Sequence, residues 1–284
     1  MARLRKILGS LRPIPTIPAA VFLALVIAAI FAPFIAPYGP EVGSLYDQFI
    51  PLSWMEGGST AHLLGTDYFG RDILTRLLYG ARVSLSVGVI AVAAAASLGT
   101  VVGLISGYFG GWVDIVLMRV VDSVLAFPLI LIAILLAVTL GPSYANIILI
   151  LALLGWPRFA RQIRAETLAI REQEYVALAR VGGCSPARMM WKHIFPNVVP
   201  TLLVLVTFQI GQVIMMEASL SFLGVGIPPP TPTWGSMCSE GRDYIGTYWW
   251  LSAFPGLAIL ATVSSTNLVG DWIRDRLDPR LRQV

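Results

Sequence analysis

Arg158 to Pro200 reads RFARQIRAETLAIREQEYVALARVGGCSPARMMWKHIFPNVVP. This Arg-rich, polar stretch lies between long apolar runs, and its reading decides the fold. A chain that only crosses a bilayer joins its helices with short loops, whereas this segment is long enough to build structure outside the lipid. Glu174 to Arg180 is a good helix former that stops at Gly182-Gly183, because glycine after a helix takes left-handed dihedrals. Ser185-Pro186 restarts a helix, with serine as N-cap and proline in the first turn. That second helix, PARMMWKHIF, is expected to stop at Pro196, where the chain re-enters the membrane. Ala177, Ala179, Gly182 and Gly183 leave the corner nearly free of bulk, while Glu174 and Arg180 flank it with charge. Such a corner suits a groove on a second protein. The alternative is a solvated amphipathic loop on the membrane surface.

Outward from this segment the chain is strongly apolar. It is 56% hydrophobic and 13% charged over 284 residues, where a soluble domain carries about 25% charged residues. The expected class is all-α: a polytopic membrane protein with about six transmembrane helices, near 17–38, 83–107, 115–139, 143–160, 198–223 and 250–270. The run after MARLRK is longer than a signal-peptide core and reads as an uncleaved first span.

Lysine and arginine set the orientation. Sixteen of the twenty fall on one face: the N-terminus, Arg119, the 158–200 segment and the C-terminus. Only Arg71, Arg76, Arg82 and Arg242 fall on the other. The first face is therefore expected in the cytoplasm, with both termini (1–16 and 271–284) and a loop at 161–197. Segments 39–82 and 224–249 are expected outside a core running from 83 to 270. The net charge of +4 is then a topology signal. A nucleic-acid surface would interleave aromatics on a basic face, and none is present. Cys184 and Cys238 fall on opposite faces and cannot pair, and His62 and His193 are likewise divided, so no Cys/His metal cluster can form.

Residues from Asp72 onward predict a short amphipathic helix leading into the second span. That span places Ala91, Ala95, Gly99, Gly103 and Gly107 on one helical face, a stripe for close helix packing. Gly110-Gly111 is expected to end it in a tight loop. Asp122 lies three residues after Arg119, so the two are expected to pair. Asp114 is expected at the membrane boundary. Glu217, inside MMEASLSFLG, has two readings: an interhelical hydrogen bond or a wall of a pathway. Pro128 and Pro255 are read as static bends. Clustered prolines at 228–232 favour an extended polyproline run, and Tyr248, Trp249 and Trp250 are expected in an interfacial aromatic belt.

The Arg-rich segment resembles the cytoplasmic loop of ABC-importer permeases. Its family pattern is Glu-Ala-Ala, three residues, Gly, nine residues, then Ile-x-Leu-Pro. Here the positions are Ala177-Leu178-Ala179, Gly183, and His193-Ile194-Phe195-Pro196. Ala177 stands where the pattern has glutamate, and Glu174 lies one turn earlier. Four further blocks are similar to the second permease subunit of dipeptide and oligopeptide importers, a branch that includes nickel and glutathione permeases. They are HLLGTDYFGRDILTRLLYGARVSL, GYFGGWVDIVLMRVVDSVLAFP, EASLSFLGVGIPPPTPTWGSM and FPGLAILATVSSTNLVGDWIRDRLDPRL.

The resemblance implies an ABC importer type I permease core in the inner membrane. It also implies a homologous permease mate forming a heterodimer, two ABC ATPase subunits and an extracytoplasmic substrate-binding protein. Glu174, Tyr175, Ala177, Ala179, Arg180, Gly182, Gly183 and Pro196 would form the ATPase-coupling loop. The chain has no Gly-x4-Gly-Lys-Ser/Thr phosphate loop, so ATP and Mg would sit on the partner ATPases and no cofactor on this chain. The rival reading is an ion-coupled secondary transporter, which would show charged mid-membrane sites and internal repeats. Only Glu217 is a candidate for such a site. A membrane enzyme lacks support, since neither His-Glu-x-x-His nor Gly-x-Ser-x-Gly occurs.

Overall fold

Asp72 caps the first turn of the core's longest helix: its Oδ2 accepts the Thr75 amide proton at 2.7 Å. From there the chain runs unbroken from Ile73 to Phe109. The predicted amphipathic helix and second span are therefore one element, because nothing between Asp72 and Gly110 breaks the helix. In this computed structural model residues 15–277 are described. Most of the expected N-terminal segment and the end of the C-terminal one lie outside them.

The elements are α1 (Thr16–Ile35), α2 (Ile73–Phe109), α3 (Gly111–Leu125), α4 (Leu129–Leu140), α5 (Tyr144–Arg171), α6 (Glu174–Val181), α7 (Pro186–Phe222), α8 (Trp234–Arg242) and α9 (Trp250–Leu277). Among the described residues β-structure is confined to two isolated bridges, Gly43 with Arg71 and Thr66 with Asp72. The all-α, polytopic reading holds. Four helices, α1, α2, α7 and α9, are long and apolar enough to cross a membrane, or five if α3 and α4 form one span. The fourth predicted span falls on α5, where Arg158 interrupts the apolar run fifteen residues after Ser143 and the helix continues to Arg171.

Three local expectations are corrected. The third predicted span is two helices meeting at 84°. The break falls at Ala126–Pro128, where Pro128 is the extended N-cap of α4 and cannot continue the α3 hydrogen-bond ladder. Pro255, by contrast, sits inside the continuous α9. Pro196 does not end a helix either. It lies in α7 directly after a π-helical turn, Met189–Ile194, where the Phe195 amide reaches back to the Met190 carbonyl. That wider turn reroutes the ladder at the point where proline supplies no donor. Lastly, the proline-rich stretch before Thr233 is a series of bends and turns rather than an extended run.

The core is layered along the helix axes. Alanines and glycines of α2 meet α5, with Val87, Ala91, Val92, Ala95, Ile147, Ile150, Leu151 and Phe159 buried together. At the Arg-rich end, Leu104, Ile163, Val176, Met189, Ile194 and Val198 form a second cluster. At the opposite end, Leu52, Ile73, Met237, Trp250 and Leu251 form a third, under a cap built from the segment before α2 and the segment around α8.

Candidate functional site

α6 is short, and of its side chains only Val176 is fully buried, in the cluster with Met189 and Ile194. Tyr175 ties it to α7: Asn197 Nδ2 donates to the Tyr175 hydroxyl at 3.1 Å and to the His193 carbonyl at 2.8 Å. Beyond these anchors the helix presents bulk apolar groups to the outside, with Leu178 71% and Val181 89% exposed. Ala177 is exposed and Ala179 half-buried.

The helix ends as its glycines predict. The Cys184 amide donates to the Ala179 carbonyl and the Gly183 amide to the Arg180 carbonyl, both at 3.1 Å, and Gly183 holds φ at +78°. This is the paired 6→1 and 5→2 arrangement that needs glycine at the turn. A Cβ on Gly183 would meet nothing within 4 Å, so the corner is open space. Glu174 and Arg180 are exposed, and neither side chain makes a hydrogen bond or ion pair with another described residue.

Polar groups below the corner fix its position. Arg164 holds Asp114 through two nitrogens, and Ser106 donates to the same carboxylate. Arg171 Nη1 donates to the Gly107 and Tyr108 carbonyls, both at 3.1 Å, capping the end of α2. Asp122 does not pair with Arg119 on its own helix. It accepts from Arg161 of α5 at 2.6 Å, so an interhelical partner outcompetes the i−3 neighbour. Arg119 is exposed and makes no ion pair with a described residue.

Glu217 lies between helices with no exposed surface. Ser221 Oγ donates to it at 2.7 Å and Ser84 Oγ, from α2, at 3.2 Å. Ser84 Oγ also accepts the Trp234 amide at 3.3 Å, so Glu217 joins α7, α2 and the start of α8. Gly99, Gly103 and Gly107 face α5. A Cβ on them would lie 2.5 Å from the Trp156 carbonyl, 2.7 Å from the Ala160 carbonyl and 2.6 Å from Thr167 Cβ, respectively.

The cap holds a charged network that composition alone does not reveal. Arg76 Nη1 donates to Asp67 at 2.7 Å and to Glu240 at 2.6 Å. Arg71 bridges the same acids, with Nε 2.7 Å from Asp67 and Nη2 2.9 Å from Glu240. Asp67 and Arg76 are each only 3% exposed. Two cations and two anions balance, which welds the segment before α2 to α8. α8 lies inside a stretch expected to be loop. Its sequence signal was the pair Thr233 and Ser236, which cap reciprocally at 3.0 Å each way. Trp250, expected at a lipid interface, is 3% exposed in the cap core.

Glu240→Gln should leave two buried guanidiniums facing one carboxylate and lower stability by about 3 kcal/mol. Proteolysis of the 39–72 segment in the purified protein measures this, and adding Arg71→Gln should recover part of the loss. Burial also pushes the Cys238 thiol up to about 11. Its thiolate fraction at pH 8 is then about one thousandth, so its alkylation rate should rise about tenfold per pH unit up to pH ~10. A plateau near pH 9 would show an exposed thiol instead.

With this geometry in place, residues 99–283 match the family described as the binding-protein-dependent transport system inner membrane component. The chain belongs to this family. It is 46% identical over 255 residues to the dipeptide transport system permease protein DppC of Escherichia coli K12, covering 90% of this chain and 85% of that one. It is 44% identical over 260 residues to a putative peptide transport system permease of Brucella suis, covering 92% and 86%. It is 40% identical over 273 residues to the glutathione transport system permease GsiD of Pectobacterium atrosepticum, covering 96% and 89%. The chain is a multi-pass inner-membrane permease of the ABC-importer type.

Proposed function

We propose that this permease imports dipeptides or short oligopeptides as one half of a heterodimeric channel. Two ATPase subunits, carrying ATP and Mg, dock beneath the two permeases, and a binding protein delivers cargo to the cap. Both termini and α6 lie in the cytoplasm, as the lysine and arginine distribution supports. The observation that carries the docking is the exposed helix–glycine corner, α6 with Gly183, projecting from a chain that has no phosphate loop of its own. Glu174 and Arg180 stand ready to pair with a partner, and Glu174 takes the place of the glutamate replaced by Ala177.

Energy reaches the channel only if ATP favours one permease conformation over another. α6 can carry that bias, because Val176 is buried against α7, Tyr175 is hydrogen-bonded to it and the other face is exposed. The peptide reading is supported by the names of the dipeptide and peptide relatives. The 40% identity to a glutathione permease keeps glutathione, itself a tripeptide, as the second reading, with nickel behind it.

The test is uptake into vesicles holding this chain, its permease mate, both ATPases and the binding protein. Labelled dipeptide should accumulate only with ATP, and glutathione or nickel should compete weakly. Uptake by this chain alone, driven by an ion gradient, would overturn the reading. Labelling of Cys184 from the outside would reverse the orientation.

A further inference from the structure

Arg158 lies toward the Arg-rich end of α5, one turn before Arg161. Its neighbour Phe159 packs at Gly99, where an added Cβ would lie 2.5 Å from Phe159 Cβ. Gly99 is ten residues, about 15 Å, before the end of α2 at Phe109, and the next small residue of the stripe, Gly103, already meets the Arg164 backbone, so Arg158 lies just inside the charged layer at the Arg-rich end. Across from it on α7, Gln209 and Gln212 share one helical face. Arg158 Nη1 donates to Gln209 Oε1 at 3.3 Å and to Gln212 Oε1. Arg158 and Gln212 are both exposed, and Gln209 is 9% exposed. Together with Leu129, Leu154 and Met216 they line a cavity of about 70 Å³.

An exposed cation beside the apolar helices is costly against lipid and is retained where it meets a cavity or a partner. No carboxylate supplies that partner within the described chain. Arg158 makes no ion pair there; Glu217 is fully buried and bonded to Ser84 and Ser221, and Asp122 is bound to Arg161. What the cluster offers is donors. Both amide oxygens are turned onto the guanidinium, so both NH2 groups face away from it, and three of the five guanidinium N–H donors are unspent. A guanidinium fork flanked by amide donors matches a carboxylate, which accepts two parallel bonds.

We propose that Arg158, Gln209 and Gln212 form a carboxylate-binding station toward the Arg-rich end of the translocation path, where the free C-terminal carboxylate of a peptide rests in transit. This rests on the reading of the chain as a peptide permease. It assigns to the membrane subunit a contact with cargo at a point where an otherwise apolar wall would repel an ionised group.

The test uses the assembled importer with cysteine-free partners, and this chain carrying Cys184→Ser, Cys238→Ser and Gln212→Cys. An anionic methanethiosulfonate should label position 212 about tenfold or more faster than a cationic one, because the neighbouring guanidinium concentrates anions. Arg158→Gln should bring that ratio to about one, while Arg158→Lys should keep most of it, which separates charge from a merely structural role. Trialanine should slow the anionic reagent, and its C-terminal amide should not. Labelling by neither reagent, or a ratio that Arg158→Gln leaves unmoved, would overturn the station. Equal protection by acid and amide would overturn carboxylate recognition. A charge-sensitive ratio in an importer that takes up no peptide would strike the cargo reading and leave an anion station standing.

Discussion

Gly183→Trp is expected to leave the permease folded in the membrane and to cut ATP-driven uptake by roughly tenfold or more, as a loss of about 1.4 kcal/mol of coupling would. The residue sits at φ +78°, so any side chain there adds local strain of about 1–2 kcal/mol. That strain acts on one turn outside the core. No atom lies within 4 Å of the position a Cβ would take, so the side chain starts into open space. What it fills is open space at the end of α6, the helix that carries the exposed apolar pair Leu178 and Val181. Gly183→Asn separates the two effects, because asparagine tolerates left-handed dihedrals and adds little bulk. It should retain most uptake. Co-purification of the ATPases measures docking directly, and both readouts should fall together for tryptophan. Full uptake and full ATPase retention in Gly183→Trp would show that the corner meets no partner.

What could be read from the sequence was what short-range chemistry decides. The turn at Gly183 follows from glycine after a helix, and the α2–α5 contact follows from small residues four apart. The charges were harder. Asp122 has an arginine three residues away and pairs instead with Arg161, thirty-nine residues on, because the α3–α5 packing brings that guanidinium to 2.6 Å. Asp67, Arg71, Arg76 and Glu240 span the cap in the same way, and no local pattern joins residue 76 to residue 240. The prolines show a further limit. Pro128 breaks a helix and Pro196 does not, because the second follows a π-helical turn that only the fold reveals. Arg158 counted toward a basic face by composition; the fold adds that it sits level with Gly99, one turn before Arg161, with its guanidinium on Gln209 and Gln212.

Gly103→Leu is expected to prevent the permease from reaching a folded, extractable state. A single added Cβ at this position would lie 2.7 Å from the Ala160 carbonyl oxygen, 2.8 Å from Ile163 Cβ and 3.0 Å from the Arg164 amide nitrogen. Two of those neighbours are backbone of α5, so no rotamer change relieves the contact and the helices must separate. Overpacking a core costs about 1–3 kcal/mol where side chains can shift; here separation also forfeits the close backbone packing that holds membrane helices together in the absence of a hydrophobic drive between them. The damage would reach the coupling end. Arg164 grips Asp114, Arg171 caps α2 at Gly107 and Tyr108, and only Glu172 and Gln173 separate α5 from α6. A displaced α5 therefore carries α6 and its glycine corner with it. Gly103→Ala should already lower the folded yield in detergent, measured by size-exclusion recovery after heating. Gly182→Ala is the control: its φ is −72° and its nearest neighbours would be 3.5 Å away, so yield and uptake should stay near those of the parent. Equal recovery of Gly103→Leu and the parent would mean that α2 and α5 do not meet along this stripe, and the position of α6 would then need another support.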